Sequence, residues 1–229
     1  AGVVGAMPNI PANRLNSQFD FLGPSFTVSS EERSGIVALQ LAARALRAGE
    51  IDAAVVGAVD VCAEPVHEHA ASALGPNSQP AGDAAVVLVL RRLADARREG
   101  QRVYAVFGSE AANDAADLRL GTEDGGWSLV PGFGQAHAAS GLLYVAVAAL
   151  ACRHRAEPRN AAPAAPWLSA GPRAARVTVS ALGGQTGTVR VVEDEATAAD
   201  PLLLEAPPRF HVYSGEARRA VLAALVSRQ

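Results

Sequence analysis

The chain has 229 residues, a formal net charge of −3, 49% apolar residues and 19% charged residues. This balance excludes an intrinsically disordered chain, and it gives no electrostatic basis for binding nucleic acid or an anionic membrane surface. No apolar run reaches the ~18 residues of a membrane span, and the N-terminus lacks the basic region of a signal peptide. We therefore expect a cytoplasmic protein whose two cysteines, Cys62 and Cys152, are reduced thiols.

A short strand and a long helix are the first predicted elements. Ser25–Ser30 alternates like a strand after the Gly-Pro turn that precedes it. The helix that follows has Ser30 as its predicted N-cap and Gly49 at its end. Its apolar face, at helical spacing, consists of Ile36, Leu39, Ala43 and Leu46.

Two apolar runs, Ala53–Val59 and Ala84–Leu90, predict strands that are buried on both faces. Between them, Glu64–His69 is interpreted as the exposed start of a helix. The alternative is a metal site, but the spacing of Cys62, His67 and His69 fits no structural zinc pattern. We therefore expect no metal.

Helices and strands also alternate through the second half of the chain. In order, the sequence predicts an exposed helix at Arg91–Glu99, a strand at Arg102–Phe107, a loop at Gly108–Pro131, a helix at Gln135–Arg155, and strands at Arg176–Ser180 and Thr188–Val192. Such alternation favours a layered α/β fold in which helices cover a sheet. The acidic, Ala- and Pro-rich stretch after residue 192 indicates a linker. The chain is thus divided into a domain of residues 1–192 and a segment of residues 193–229 that begins a following domain.

Several segments, in the same order, resemble the β-ketoacyl synthases, the condensing enzymes with the thiolase-like fold. Gly23 to Gly35 (GPSFTVSSEERSG) is similar to the family's strand and nucleophile-helix start, and the run that ends in GEIDAAVVGAVD at Asp60 is similar to its next helix and strand. Further likenesses are GDAAVVLVLRRLADAR at 82–97, GQAHAASG at 134–141 and ALGGQT at 181–186. The resemblance implies an α/β, thiolase-like layered α-β-α fold that is partial, with the upstream part of the ketosynthase domain missing.

The residues at the family's Cys-His-His centre differ in this chain. Glu32 stands at the cysteine position, Gln135 stands at one histidine position, and the other histidine has no counterpart. Leu182 corresponds to the gate position, and Gly183 and Gly184 correspond to the loop that supplies an oxyanion-hole N–H. A carboxylate is a poor acyl-accepting nucleophile, so no catalytic residue is assigned and no condensing activity is expected, although other enzyme activity stays open.

Each residue of this centre also has a second interpretation. Glu32 is either an acid that stabilises the first helical turn or a residue that pairs with an arginine or a partner subunit. Gln135 is either an inert remnant or a ligand of backbone groups. His137, two positions further on, is either a structural histidine or a residual base.

The resemblance is greatest to the chain-length-factor domains of polyunsaturated fatty acid and polyketide synthases, which MPNIPANRLN at Met7–Asn16 also resembles. It implies a dimer or heterodimer with an active ketosynthase domain or subunit, with Ser25–Ser30 near the interface. The chain would shape the acyl tunnel, with Ile36, Ala139 and Gly141 as wall residues. No cofactor is expected, since the substrates are thioesters on the phosphopantetheine of an acyl carrier protein. The alternatives are a malonyl-thioester decarboxylase and a purely structural docking domain.

Overall fold

The computed structural model describes residues 7–61, 64–74, 79–108, 116–122, 125–159 and 162–196. The helices in these ranges are α1 (Asn9–Gln18), α2 (Ser34–Ala48), α3 (Pro65–Leu74), α4 (Leu93–Arg98), α5 (Val130–Phe133) and α6 (His137–His154), and a 3-10 turn (Glu31–Arg33) precedes α2. The strands are β1 (Ala53–Val61), β2 (Asp83–Arg91), β3 (Val106–Phe107), β4 (Leu118–Gly121), β5 (Ala156–Glu157), β6 (Ala165–Pro166), β7 (Ala174–Ser180) and β8 (Thr186–Val192).

The longer strands form two separate sheets. β1 and β2 pair antiparallel over their whole length, with Ala53 opposite Arg91 and Val61 opposite Asp83. The second sheet has the order β3-β8-β7-β4, in which β8 is antiparallel to both of its neighbours and β4 is parallel to β7. The short strands β5 and β6 pair with each other beyond the end of α6.

Helices α2 and α6 lie between the two sheets and contact both of them. α6 is buried on most sides, as its small and apolar sequence HAASGLLYVAVAALACRH permits. The predicted face of α2 is confirmed, because Ile36, Leu39, Ala43 and Leu46 are all buried. The core is therefore a helical layer that brings the N-terminal ends of α2 and α6 together.

The expectation that the first two strands are buried on both faces is wrong for the described part of the chain. Burial alternates along β1 and β2. Val55, Val59, Val87 and Val89 are each more than half exposed. Because α2 and α6 cover one face of this sheet, the other face carries these valines without a covering layer among the described residues.

Several predicted local features also differ from the structure. Ser25–Ser30 is not a strand, and Ser30 does not cap the helix with its side chain. The Arg102–Phe107 strand is reduced to β3, and the predicted loop Gly108–Pro131 contains β4. β4 was missed because a four-residue strand next to a buried sheet neighbour has too few residues to show a period.

The first residues after the predicted boundary at 192 are packed against the domain. Glu193 and Asp194 are buried and form ion pairs with Arg173, Arg155 and Arg97. Residues 197–229, with the predicted linker and following helix, lie outside the described residues, so the division of the chain stays a prediction. None of the helices within the described ranges is long and apolar enough to cross a membrane.

Candidate functional site

The site forms where the chain enters α2. The 3-10 turn at Glu31–Arg33 sets two consecutive glutamates ahead of the helix. Ser34 organises this turn, because its Oγ accepts the Ser30 N–H (2.9 Å) and donates to the Glu31 carbonyl (2.6 Å). Glu31 has a φ of +51°, a left-handed conformation that costs a non-glycine residue about 1–3 kcal/mol. The turn therefore has strained backbone at Glu31, the first of the two glutamates.

The carboxylate of Glu32 is buried and contacts two other parts of the chain. The residue is 9% exposed. Oε2 accepts the N–H of Leu182 at 3.1 Å, and Oε1 lies 3.3 Å from His137 Nδ1. The neighbouring carboxylate repeats the pattern, since the Gly183 N–H donates to Glu31 Oε2 at 3.2 Å. The two glutamates thus bind two successive amides of one loop.

That loop is the turn between β7 and β8. The Ala181 N–H donates to the Gln185 carbonyl and the Gly184 N–H donates to the Ala181 carbonyl, both at 2.8 Å. Gly184 has a φ of +78°, which glycine adopts without strain. Arg33 adds a side-chain hydrogen bond to Gln185 Oε1 (3.3 Å). The turn is therefore closed within itself, and its N–H groups at 182 and 183 are directed at the glutamates.

The start of α6 forms the other side of the site. Asp60, the next-to-last residue of β1, accepts the Ala138 N–H through Oδ2 at 3.0 Å, which satisfies a free amide of the helix N-terminus. His137 has a φ of +35°, and its ring lies 6.4 Å from the ring of His67 on α3. Sequence reasoning gave Asp60 no role, although an acid that directly follows the apolar run Ala53–Val59 is a detectable signal.

Gln135 is held by its backbone. Its N–H donates to the Pro80 carbonyl (2.7 Å), and its carbonyl accepts the Gly82 N–H (3.0 Å). The two segments approach so closely that a Cβ on Gly82 would lie 1.9 Å from the Phe133 carbonyl oxygen. The residue is half-buried, and these bonds fix the entry to α6.

The predicted wall residues lie in the core beside the site. Ile36 and Ala139 are both fully buried. A Cβ on Gly141 would lie 2.9 Å from Ile36 Cγ1, so α2 and α6 are already in contact there. That these residues line a tunnel stays a prediction.

The described residues at this site include no thiol. Cys152 is buried near the other end of α6, and burial raises the pKa of its thiol to about 12. Such a thiol is protonated at neutral pH and is a poor nucleophile. Cys62 lies outside the described residues. Glu64, in the cluster considered for metal binding, accepts the N–H groups of Val66 and His67 and caps α3. Within the described ranges, no three His, Cys, Asp or Glu residues are grouped so that they could hold a metal ion.

This arrangement can hold the β7–β8 turn in place through the hydrogen bonds of the two glutamates. A carboxylate and an imidazole stand together, as they do where a base is oriented for proton transfer. The donors beside them are already bonded to Glu31 and Glu32. The geometry therefore favours a locked loop over an open reaction centre.

Known proteins are similar to large parts of this chain. Residues 1–96 match the family model for the N-terminal domain of β-ketoacyl synthases. A spectinabilin polyketide synthase system protein of Streptomyces orinoci is 39% identical over 138 residues, which are 54% of this chain and 7% of that protein. The phthioceranic/hydroxyphthioceranic acid synthase of Mycobacterium tuberculosis is 32% identical over 136 residues, 53% of this chain and 6% of the synthase.

Solved structures have the same fold. The module 6 ketosynthase of the Bacillus subtilis bacillaene synthase superposes with a TM-score of 0.71 at 19% identity, over 83% of this chain and 50% of that one. An oxazolomycin ketosynthase domain of Streptomyces albus gives a TM-score of 0.70 at 20% identity, over 86% of this chain and 52% of that one. The chain thus spans about half the length of these ketosynthases.

Proposed function

This chain belongs to the β-ketoacyl synthase family and has part of its thiolase-like layered fold, and on that basis we propose that it is a non-catalytic ketosynthase-like domain. It pairs with an active ketosynthase during polyketide or fatty acid chain elongation. The substrates are thioesters on the phosphopantetheine of an acyl carrier protein, and the partner carries out the condensation. The relatives named above support membership in a synthase of this kind.

The observation that carries this proposal is the state of Glu32. Its carboxylate lies just before α2, at the position that the sequence resemblance assigns to the family's cysteine, and it is bonded to Leu182 and faces His137. Condensation requires a nucleophile that forms a thioester and is then released. A buried carboxylate that is already hydrogen-bonded supplies neither step.

Decarboxylation of a malonyl thioester is the enzymatic alternative, and the same contacts argue against it. An enolate oxygen needs hydrogen-bond donors, and the loss of one such donor typically lowers the rate by about 10²–10³. The N–H groups of Leu182 and Gly183 are bonded to Glu32 and Glu31 instead. An ionised carboxylate at this place would also repel the developing negative charge.

Within the pairing role, two functions remain: shaping the acyl tunnel and docking alone. The contact between Ile36 and Gly141 favours docking, because no free space separates α2 and α6 there. Reconstitution of the partner ketosynthase with and without this chain separates the two functions. A tunnel-shaping domain changes the distribution of product lengths, whereas a docking domain changes the yield at a constant distribution.

A surface suited to pairing precedes α2. Leu15, Phe19, Phe21 and Phe26 are each about half exposed, and Leu22 is 95% exposed. Neighbouring exposed apolar side chains of this kind are typical of interaction sites. This surface includes part of the predicted interface segment Ser25–Ser30.

The test is co-purification of the full-length protein with the active ketosynthase of the same synthase, by size-exclusion chromatography. We expect the wild type to co-elute and Leu22→Asp to elute separately, because a charge placed in an apolar interface is unpaired. Leu168→Asp is the matched control, since Leu168 is 87% exposed on the loop after β6.

The catalytic part is tested in the same preparation. Incubated with malonyl and acyl carrier-protein thioesters, the chain alone should release no carbon dioxide and form no acyl adduct detectable by intact mass. Separate elution of the wild type would overturn the pairing role, and turnover by the isolated chain would overturn the non-catalytic one.

A further inference from the structure

We propose that the amides of Leu182 and Gly183 form a carboxylate-binding site that the chain fills with its own Glu32 and Glu31 side chains. The inference deepens the proposed function, since a centre that carries its own ligand is closed to an external one. The inference concerns the site itself, so its test does not depend on which partner the domain binds.

The donor set is that of an anion site. Two successive backbone N–H groups of a tight turn each donate to a carboxylate oxygen, at 3.1 and 3.2 Å. Successive amides of a turn form a concave site that binds anions. A third group, His137 Nδ1, lies 3.3 Å from Glu32 Oε1 and adds a donor when that nitrogen carries a proton.

The ligands are placed at a conformational cost. Glu31 at φ +51° and His137 at φ +35° are both in the left-handed region, although neither is glycine. Strained backbone persists where surrounding contacts determine it, and it concentrates at functional sites. Here the strain lies on Glu31, which is one of the two ligands, and on His137, whose Nδ1 lies 3.3 Å from the carboxylate of the other ligand.

The two carboxylates differ in their exposure to solvent. Glu32 is buried, while Glu31 and the whole 182–185 turn are exposed. In an exposed turn, an amide exchanges with solvent unless it is hydrogen-bonded. Protection of the Leu182 and Gly183 amides therefore reports on the glutamates. Protection of the Gly184 amide reports on the turn alone, because its acceptor is the Ala181 carbonyl.

The experiment is residue-resolved hydrogen exchange on the wild type, Glu32→Ala, Glu32→Gln and Glu31→Ala. Charge-assisted hydrogen bonds are the strong ones, so removing one should speed exchange about tenfold or more. We expect Leu182 to accelerate in Glu32→Ala and Gly183 to accelerate in Glu31→Ala, with Gly184 unchanged in both.

Acetate tests the site as a binding site. It supplies the carboxylate that Glu32→Ala removes, so it should raise the Tm of that variant and restore Leu182 protection. Sodium chloride at equal ionic strength is the salt control, and Glu50→Ala, at an exposed position, is the control variant. The wild type should not respond, because its site is filled, and Glu32→Gln should not respond, because its side chain still occupies the space.

Two results would overturn the proposal. One is Leu182 exchange at the wild-type rate in Glu32→Ala. The other is an acetate effect of equal size in the wild type and the variant. If Glu32→Ala does not fold, Glu31→Ala at the exposed neighbour decides the question through Gly183, and unchanged Gly183 exchange there counts against the proposal.

Discussion

Charge and burial decide what individual side chains do in this protein. Glu32 is buried yet tolerated, because a carboxylate that accepts a backbone N–H and faces an imidazole replaces part of its lost hydration. Cys152 is buried without such compensation for its thiolate. Its Sγ lies 4.0 Å from the carbonyl oxygens of Arg173 and Val191. Carbonyl oxygens and burial both favour the neutral thiol, so Cys152 stays protonated.

The state of Cys152 is testable by alkylation. In a Cys62→Ser variant, the remaining thiol should resist iodoacetamide at neutral pH, because burial, with Glu193 nearby, raises the pKa of Cys152 to about 12. Labelling should become complete in denaturant, which is the internal control for reagent activity. Rapid labelling of the folded variant, followed by intact mass, would show that the thiol is accessible and ionised.

At the scale of elements, the contact between α2 and α6 depends on two glycines. A Cβ on Gly35 would lie 2.8 Å from Leu142 Cγ, and a Cβ on Gly141 would lie 2.9 Å from Ile36 Cγ1. Each helix therefore offers a glycine to a large side chain of the other. This reciprocal fit brings the two helix N-termini, and with them Glu32 and His137, within contact distance.

Replacing Gly141 by alanine should destabilise the protein. Alanine gains about 1 kcal/mol in helix propensity, but overpacking a filled core costs about 1–3 kcal/mol, and the crowded Ile36 is fully buried. We expect a net loss, measured by urea unfolding, that shrinks in an Ile36→Ala background. Gly171→Ala, where a Cβ meets nothing within 4 Å, should be neutral. Equal effects of both glycine replacements would contradict this account of the helix contact.

At the scale of the whole molecule, charged residues join the ends of distant elements. Glu193 accepts hydrogen bonds from Arg155, after α6, and from Arg173, before β7, at 2.7 and 2.8 Å. Asp194 pairs with Arg97 on α4. The chain that leaves β8 is thereby bonded to the end of α6 and to α4.

Glu193→Gln should therefore lower stability in a pH-dependent way. Burial acts to raise the pKa of Glu193, but the hydrogen bonds from Arg173 and Arg155 outweigh it, and the pKa is lowered in the folded state. A group whose pKa is lower in the folded state than in the unfolded state stabilises the protein at pH values above its unfolded-state pKa. This stabilisation is lost as the pH falls through the folded-state pKa. We expect a loss of about 1.5–3 kcal/mol near neutral pH. The difference should begin to shrink near about pH 4, the usual pKa of a glutamate, and should vanish only at pH below the lowered folded-state pKa of Glu193.

Chemical denaturation across this pH range is the measurement. Glu50→Gln, at an exposed position, is the matched control and should follow the wild type throughout. A wild-type advantage over Glu193→Gln that persists unchanged in acid would assign the effect to packing and not to the charge.

Local sequence patterns were sufficient to predict the main helices and strands. The helical spacing of Ile36, Leu39 and Leu46 predicted α2 and its buried face, and the apolar runs predicted β1 and β2. The strands predicted on either side of the Gly-Gly turn are β7 and β8. The order of short motifs was sufficient to predict the similarity to β-ketoacyl synthases that residues 1–96 show. These features are readable because a period, a cap glycine or an apolar run lies within a few consecutive residues.

The rest depended on contacts between residues far apart in the chain. Glu32 and Leu182 are 150 positions apart, and nothing near either residue indicates the hydrogen bond between them. The exposed face of β1 and β2 likewise depends on the elements that cover the sheet. An apolar run in the sequence does not show whether helices cover one face of its strand or both. The sequence resemblance predicts that Glu32 stands at the family's cysteine position, and only the packing of α2, α6 and the β7–β8 turn decided what its carboxylate binds.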